Sequence, residues 1–207
     1  MPAMSSRIQF LAAALAVFAA PAAFAAGVSA TVNDKAGRPL EGAVLMLEPD
    51  GARLPVKPVT GIEISQTKKR FTPDVSIVTV GTAVTFPNRD TVRHHVYSFS
   101  TAKPFELKLY AGTPSAPVVF DKPGVVVIGC NIHDQMTAWV VIVDTPFHGR
   151  TGADGQLRLD GVPAGSYKLR AWHPGLAEGA APVALALRVG TADLEQVVSL
   201  DVVGARP

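Results

Sequence analysis

The chain has 207 residues with 19 basic and 17 acidic side chains, so its formal net charge at neutral pH is only +2. This near balance argues against nucleic acid, and against an anionic membrane surface, as the main partner. A single cysteine, Cys130, excludes an internal disulfide. The length suffices for one large domain or two small domains with hydrophobic cores.

The first 25 residues have the pattern of a secretory signal peptide. Arg7 is the only charged residue of this segment, an apolar run from Phe10 to Ala20 follows it, and Ala23-Phe24-Ala25 is an A-x-A cleavage site. The apolar run is too short to cross a bilayer, which takes about 20 residues. We therefore expect export to the periplasm, a mature chain that begins near Ala26, and no membrane anchor.

Beyond residue 26 the sequence predicts short β-strands rather than helices. Apolar or alternating runs, many of them rich in β-branched residues, are separated by turn residues, and the chain holds 18 glycines and 17 prolines. This spacing is typical of β-sandwiches. In chain order the predicted strands are 27–33, 43–48, 62–66, 74–80, 83–87, 93–99, 106–110, 117–120, 124–129, 137–143, 156–160, 166–172, 183–189 and 196–202.

Two segments that lie far apart in the chain carry hairpin signals. Residues 32–47 (VNDKAGRPLEGAVLML) place a turn between two strands, and residues 151–175 contain Asp-Gly and Pro-Ala-Gly turns. Val32–Leu47 and Asp154–Leu169 together resemble the carboxypeptidase regulatory-like family, a transthyretin-like, immunoglobulin-like β-sandwich. Because roughly a hundred residues separate the two halves, we expect a second domain inserted at a loop of this sandwich. The predicted division is a signal peptide over 1–25, the outer sandwich over 26–59 and 146–207, and the inserted domain over 60–145.

The segment predicted to be inserted carries a set of metal-ligating residues. The stretch VIGCNIHDQM spaces Cys130, His133 and Met136 three residues apart. Zinc sites rarely use a thioether and covalent haem would need C-x-x-C-H, whereas thiolate, imidazole and thioether together favour copper. An electron-transfer copper site needs a second histidine, which His94 or His95 could supply. Neighbours on a strand point to opposite faces, so only one of these two can face Cys130.

The residues around the two adjacent histidines add a family resemblance. NRDTVRHHV (88–96) is similar to the cupredoxin pattern N-x5-H-N-V, which implies that His94 binds copper and that His95 replaces the asparagine. The spacing from Cys130 to Met136 resembles the short ligand loop of amicyanin-like cupredoxins. The order of the two architectures resembles small exported proteins labelled methylamine utilization or plastocyanin-like. The resemblance implies an all-β protein in which a Greek-key cupredoxin sandwich is inserted into the outer sandwich. It also implies one type 1 copper per chain, held by His94, Cys130, His133 and Met136.

On this resemblance the chain is expected to be a periplasmic blue-copper protein that carries single electrons between redox partners. The expected partner is a c-type cytochrome or a periplasmic dehydrogenase, and the chain is expected to be a monomer. A multicopper oxidase or nitrite reductase would need a second histidine cluster, which His95, His148 and His173 do not supply, so an enzyme is not expected. The alternatives are a non-redox copper storage or chaperone protein and a β-sandwich interaction protein with a degenerate metal site.

Other notable side chains have simpler interpretations. We expect His133 to be the electron port of the site, ringed by Pro104, Phe105 and Ile132. The remaining expectations are His148 and His173 at the surface, Met46 in the core, Trp139 and Trp172 as packing anchors, and Lys68-Lys69-Arg70 in a solvated turn.

Overall fold

The computed structural model describes residues 25–177 and 179–202, so the predicted signal peptide lies outside the described residues except for Ala25. The described residues form 17 β-strands and no helix, which confirms the all-β class. The strands are β1 Ala25–Asp34, β2 Val44–Pro49, β3 Ile62–Glu63, β4 Ser65–Thr67, β5 Arg70–Thr72, β6 Val75–Thr79, β7 Thr82–Thr85, β8 His94–Ser98, β9 Phe105–Tyr110, β10 Val118–Phe120, β11 Gly124–Gly129, β12 Thr137–Val143, β13 His148–Arg150, β14 Gln156–Pro163, β15 Gly165–Trp172, β16 Val183–Val189 and β17 Leu194–Leu200.

Strands β3 to β12 form one set of sheets. A five-stranded sheet has the order β6-β12-β11-β8-β9, a three-stranded sheet has the order β10-β7-β3, and β4 pairs with β5. Apolar side chains of the two larger sheets, among them Val84, Phe120 and Ile128, are fully buried in one shared core. These strands therefore form a β-sandwich, and the five-stranded sheet supplies the strands next to the predicted ligands.

The first two and the last five strands form the second set. One sheet has the order β14-β1-β17 and the other has the order β13-β2-β15-β16. Strand β1 buries Val28, Ala30 and Val32 and turns the residues between them outward, as a strand between core and solvent does. Met46 and Trp172 are buried in the same core, as predicted from the sequence.

The two sets meet along β6 and β12. The strand β12 buries Val140 and Ile142 in the core of its own sandwich, while Val141 and Val143 belong to the core of the other set. Its nearly continuous apolar sequence, TAWVVIV, is what a strand covered on both faces requires. The rings of Trp139 and Trp172 lie 6.2 Å apart across this junction, so the predicted packing role of both tryptophans is confirmed.

The structure corrects one expectation about the outlying histidines. His173 is buried, with 8% of its surface exposed, rather than at the surface. The turn after β15 folds back, with the Leu176 amide donating to the His173 carbonyl (3.0 Å) and the Gly175 amide donating to its Nδ1 (2.9 Å). His148 is half-buried in the short strand β13.

Within the described residues, the structure has no helix long and apolar enough to span a membrane.

Candidate metal centre

The predicted ligands converge at one end of the five-stranded sheet. His94 is the first residue of β8, Cys130 directly follows β11, and His133 and Met136 lie in the loop between β11 and β12. Strands β8 and β11 are antiparallel neighbours, with Gly129 opposite Tyr97. The beginning of β8 and the end of β11 therefore lie at the same edge of the sandwich.

Three of the four candidate side chains form a compact group. Cys130 Sγ lies 4.0 Å from His94 Nδ1 and 3.8 Å from His133 Nδ1. All three donor atoms lie within 4.8 Å of one another. The His94 side chain is fully buried, Cys130 is buried, and His133 is half-buried. Within the group, solvent exposure is thus greatest at His133.

The separation of these donor atoms fits a single metal ion. Metal–nitrogen distances of about 2.0 Å and metal–sulfur distances of about 2.3 Å place nitrogen and sulfur about 3.7 Å apart in a trigonal plane. The sulfur–nitrogen distances of 3.8 and 4.0 Å match this value. One thiolate and two imidazoles are a donor set that favours copper among the metals of electron-transfer sites.

Met136 is the last residue of the loop between β11 and β12. Its side chain is 1% exposed and belongs to the same core cluster as Cys130. Its amide donates to the His133 carbonyl at 2.9 Å, which makes the loop a tight turn. The structure thus buries the Met136 thioether in the core that also contains Cys130.

The two adjacent histidines face opposite sides of β8. His94 faces Cys130, whereas the His95 Nε2 pairs with the Glu106 carboxylate at 3.0 Å. His95 is also buried, at 6% exposure, and its Nδ1 has no hydrogen-bond partner among the described residues. His94 is therefore the member of the pair that can share an ion with Cys130 and His133.

Asp90 orients the His94 ring, and sequence reasoning missed it. Its carboxylate lies 2.8 Å from His94 Nε2 and accepts the Lys68 and Lys69 amides at 2.6 and 2.8 Å. Burial raises the pKa of this carboxyl, but the amide hydrogen bonds, together with His94, outweigh it and hold the pKa below its ordinary value. An ionised carboxylate only accepts hydrogen bonds, so Nε2 carries the ring proton. The other ring nitrogen, Nδ1, faces Cys130 Sγ at 4.0 Å.

The hairpin turn that supplies those amides is strained. Lys68 and Lys69 both have φ of 54° between β4 and β5, where Thr67 pairs with Arg70. Such two-residue turns favour Asn-Gly, because left-handed backbone costs other residues about 1–2 kcal/mol each. The hydrogen bonds to Asp90 offset part of this cost. The two lysine side chains are exposed, so the expectation of a solvated turn is confirmed.

Asn88 and Tyr110 fix the loop before β8. The Asn88 side-chain amide donates to the carbonyls of Val92 (2.8 Å) and Tyr110 (3.0 Å), and its oxygen accepts the Asp90 amide (2.9 Å). The Tyr110 hydroxyl donates to the Phe86 carbonyl at 2.6 Å. Burial raises the pKa of Tyr110 to about 12, against an opposing hydrogen bond from the Gln66 side chain and with a smaller contribution from Cys130, so this phenol stays neutral.

The structure corrects the predicted surroundings of the electron port. Phe105 pairs with Ser98, four residues along β8 from His94, which places it about 13 Å away at 3.3 Å per residue. Its ring packs against Phe86 and Phe120 in the core. Pro104 and Phe105 therefore do not ring the site. The exposed apolar side chains at the metal end are Val92, Leu109 and Ile132, which are 40%, 49% and 48% exposed.

Comparison with known proteins gives structural similarities of partial coverage. No family model matches the chain, and no curated protein matches it. It is similar to a Cu-containing nitrite reductase from Thermus scotoductus SA-01, with 23% identity and a TM-score of 0.38 over 46% of this chain and 25% of that chain. A reduced Cu(I) form of an amicyanin mutant gives 20% identity and a TM-score of 0.37, over 42% of this chain and 91% of that one. A purple cupredoxin from Nitrosopumilus maritimus gives 22% identity and a TM-score of 0.35, over 40% of this chain and 99% of that chain.

These neighbours are cupredoxins that each cover less than half of this chain, and the chain spans only a quarter of the nitrite reductase. All three TM-scores are below 0.5. Similarities at this level identify no function for this chain.

Proposed function

We propose that this chain is a type 1 copper protein that carries single electrons between redox partners in the periplasm. The observation that carries the proposal is the group formed by Cys130 Sγ and the Nδ1 atoms of His94 and His133, which lie within 4.8 Å of one another. In this proposal Met136 supplies the fourth donor. Residues 60–145 form the copper domain, inserted between residues 26–59 and 146–207 of the outer sandwich.

Strand positions and a hydrogen bond fix two of the proposed donors, which favours electron transfer. Bound copper would supply a one-electron couple between Cu(I) and Cu(II). His94 is held by β8 and by Asp90 (2.8 Å), and Cys130 is held at the end of β11. Donors that cannot move far between the two oxidation states keep the reorganisation on each transfer small. The buried Met136 and the apolar core around it set the polarity of the site.

Burial favours electron transfer over catalysis. A metal that acts on a substrate keeps an open coordination position. Here the side chains of His94, Cys130 and Met136 are buried, and His133 alone of the four is half-buried. We therefore propose a carrier rather than an enzyme, with electrons entering and leaving at the edge of the His133 ring. A c-type cytochrome or a dehydrogenase would meet a monomeric chain at this edge.

The test is addition of Cu(II) to the purified protein without residues 1–25. We expect one equivalent of copper to produce an intense visible charge-transfer band of copper bound to thiolate, which a reductant bleaches and an oxidant restores. Cys130→Ala should abolish the band. A colourless protein, or a band that survives in Cys130→Ala, would exclude the proposal, and tight Cu(I) binding without colour would favour a storage protein.

The adjacent histidines provide a matched pair of variants for the same experiment. His94→Gln should abolish or strongly shift the band, because it removes a donor that lies 4.0 Å from Cys130 Sγ. His95→Gln should keep the band, because that ring pairs with Glu106 on the other face of β8. The reverse result would assign the ligand to His95.

A further inference from the structure

The Lys68-Lys69 turn places two lysines in a backbone conformation that is unfavourable for residues with long side chains. Both residues adopt a left-handed conformation with φ of 54°, which glycine and asparagine adopt with less strain. Both side chains are nevertheless lysines that extend into solvent. Strain of this kind persists where the residues have a function that the strain-free alternative would lose.

The turn lies at the metal end of the sandwich. Its two amides donate to Asp90, at 2.6 and 2.8 Å, and Asp90 pairs with His94. The lysines are thus two hydrogen bonds away from a proposed copper ligand. Arg70 begins the next strand and Arg93 directly precedes His94, and both are exposed. We call Lys68, Lys69, Arg70 and Arg93 the basic collar.

The nearby acidic groups do not cancel the charge of the collar. Glu63 is already paired with a separate cation, Arg89, at 2.7 Å. Asp90 faces inward to His94, with only 14% of its side chain exposed. Asp134, in the ligand loop, is exposed and offsets one of the four cations. The whole chain has 19 basic and 17 acidic residues, so the collar is a local concentration of positive charge on a nearly balanced molecule.

The collar lies at the same end as exposed apolar side chains. Val92 lies in the loop before β8, Leu109 precedes the residue that pairs with His94, and Ile132 precedes His133. All three are at least 40% exposed. An apolar centre with a charged rim is the composition of a protein docking surface, in which the rim steers the encounter and sets its orientation.

We propose that the basic collar docks an acidic redox protein onto the His133 end of this chain. The proposal rests on the electron-carrier function proposed above and adds the charge of the partner. Copper held by this chain would exchange one electron at a time with the redox group of the acidic partner. Attraction to the collar raises the association rate and orients that group toward His133.

The kinetic test uses the copper-loaded protein and small redox probes of opposite charge. The reduced protein gives one electron to hexacyanoferrate(III), which becomes hexacyanoferrate(II), and in a parallel series to tris(phenanthroline)cobalt(III). Lys68→Glu/Lys69→Glu should slow the reaction with the anion about tenfold at low ionic strength and accelerate the reaction with the cation. The control Lys122→Glu/Lys168→Glu makes the same change of charge far from the site, and should change either rate less than about twofold. Equal effects of the two double variants would overturn the proposal.

A second measurement separates the docking proposal from the copper proposal. Titration of the nitrogen-15-labelled, metal-free protein with poly-L-glutamate should shift the amide resonances of Lys68, Arg70, Arg93 and Ile132. Lys68→Asn/Lys69→Asn, which suits the left-handed turn, should fold normally and lose most of these shifts. If the purified protein failed to bind copper in the test above but still gave these shifts, docking of an acidic partner would be supported and the carrier function would be refuted.

Two outcomes of these measurements would overturn the docking proposal. One is a set of shifts confined to other surfaces, or no shifts at all, in the poly-L-glutamate titration. The other is cosedimentation of the wild-type protein with phosphatidylglycerol vesicles that is lost in Lys68→Asn/Lys69→Asn while the rate with hexacyanoferrate(III) is unchanged. That result would make the collar a membrane contact.

Discussion

At the scale of single residues, Asp90 decides which ring nitrogen of His94 can bind a metal. The carboxylate faces three N–H groups: the His94 Nε2 and the amides of Lys68 and Lys69. This arrangement engages Nε2 of His94 and leaves its Nδ1 facing Cys130 Sγ at 4.0 Å. Carboxylates that hold a metal-binding histidine in this way contribute substantially to metal affinity.

Asp90→Asn should therefore weaken copper binding. The amide replaces one oxygen with an N–H group, which meets another N–H donor and loosens the His94 ring. We expect Cu(I) affinity to fall roughly 10- to 100-fold, measured by competition with a chromophoric Cu(I) chelator. The control is Asp134→Asn, which changes an exposed carboxylate of the ligand loop and should leave affinity unchanged. Equal affinities for both variants would show that Asp90 does not position His94.

The sequence predicts those parts of the site that depend on spacing. Cys130, His133 and Met136 follow one another along a single loop, and the alternation of β8 limits the second histidine to one of two. Asp90 could not be predicted, because its role depends on a hairpin some 20 residues earlier in the chain that packs beside it. The prediction that Phe105 lies beside His133 is wrong for a related reason. The position of Phe105 depends on the register of β9 against β8, which contains a bulge between His94 and Val96.

At the scale of elements, the β4–β5 hairpin is less stable than the same turn would be with Asn-Gly at its centre. A two-residue turn with both residues at φ of 54° is most stable as Asn-Gly. Lys68→Asn/Lys69→Gly should therefore raise the free energy of unfolding of the metal-free protein by about 1–2 kcal/mol, measured by denaturant titration. Lys122→Asn, a loss of one charge at the far end of the sandwich, serves as control. A lower stability of the Asn-Gly variant would mean that the lysine side chains stabilise the turn.

Most strands could be predicted because their apolar residues either alternate or form runs bounded by glycine and proline. The short strands β5 and β13 lie outside the predicted strands, because pairing with β4 and β2 decides their structure. The predicted strand 62–66 is divided into β3 and β4, which pair with different strands. Pairing over such distances is a property of the tertiary fold rather than of local sequence.

At the scale of the whole molecule, the sheets formed by β1, β2 and β13 to β17 pack against the strand that follows the site. Strand β12, which begins directly after Met136, has both faces covered. The Arg150 guanidinium donates to the Val75 carbonyl at 2.7 Å and ties β13 to the neighbouring strand β6. The ligand loop therefore ends on a strand that cannot shift without disturbing both cores.

The buried His173 makes the stability of this assembly depend on pH. Burial lowers the pKa of His173, the positive charge of Arg150 lowers it further, and a hydrogen bond to the Glu41 backbone opposes both. Below pH of about 6.5 the unfolded chain binds a proton at this histidine more readily than the folded chain does. The free energy of unfolding should fall as the pH drops below this value, and His173→Gln should reduce the dependence. Denaturant titrations on either side of that pH would show this, and an unchanged dependence in His173→Gln would contradict it.

The most direct test of the proposed centre is X-ray absorption at the copper edge of the protein loaded with one equivalent of copper. The group formed by His94, Cys130 and His133 predicts a single short copper–sulfur distance and two imidazole nitrogens, with the sulfur contribution lost in Cys130→Ala. A spectrum with nitrogen and oxygen neighbours alone, or one that is the same in Cys130→Ala, would contradict the proposed copper centre.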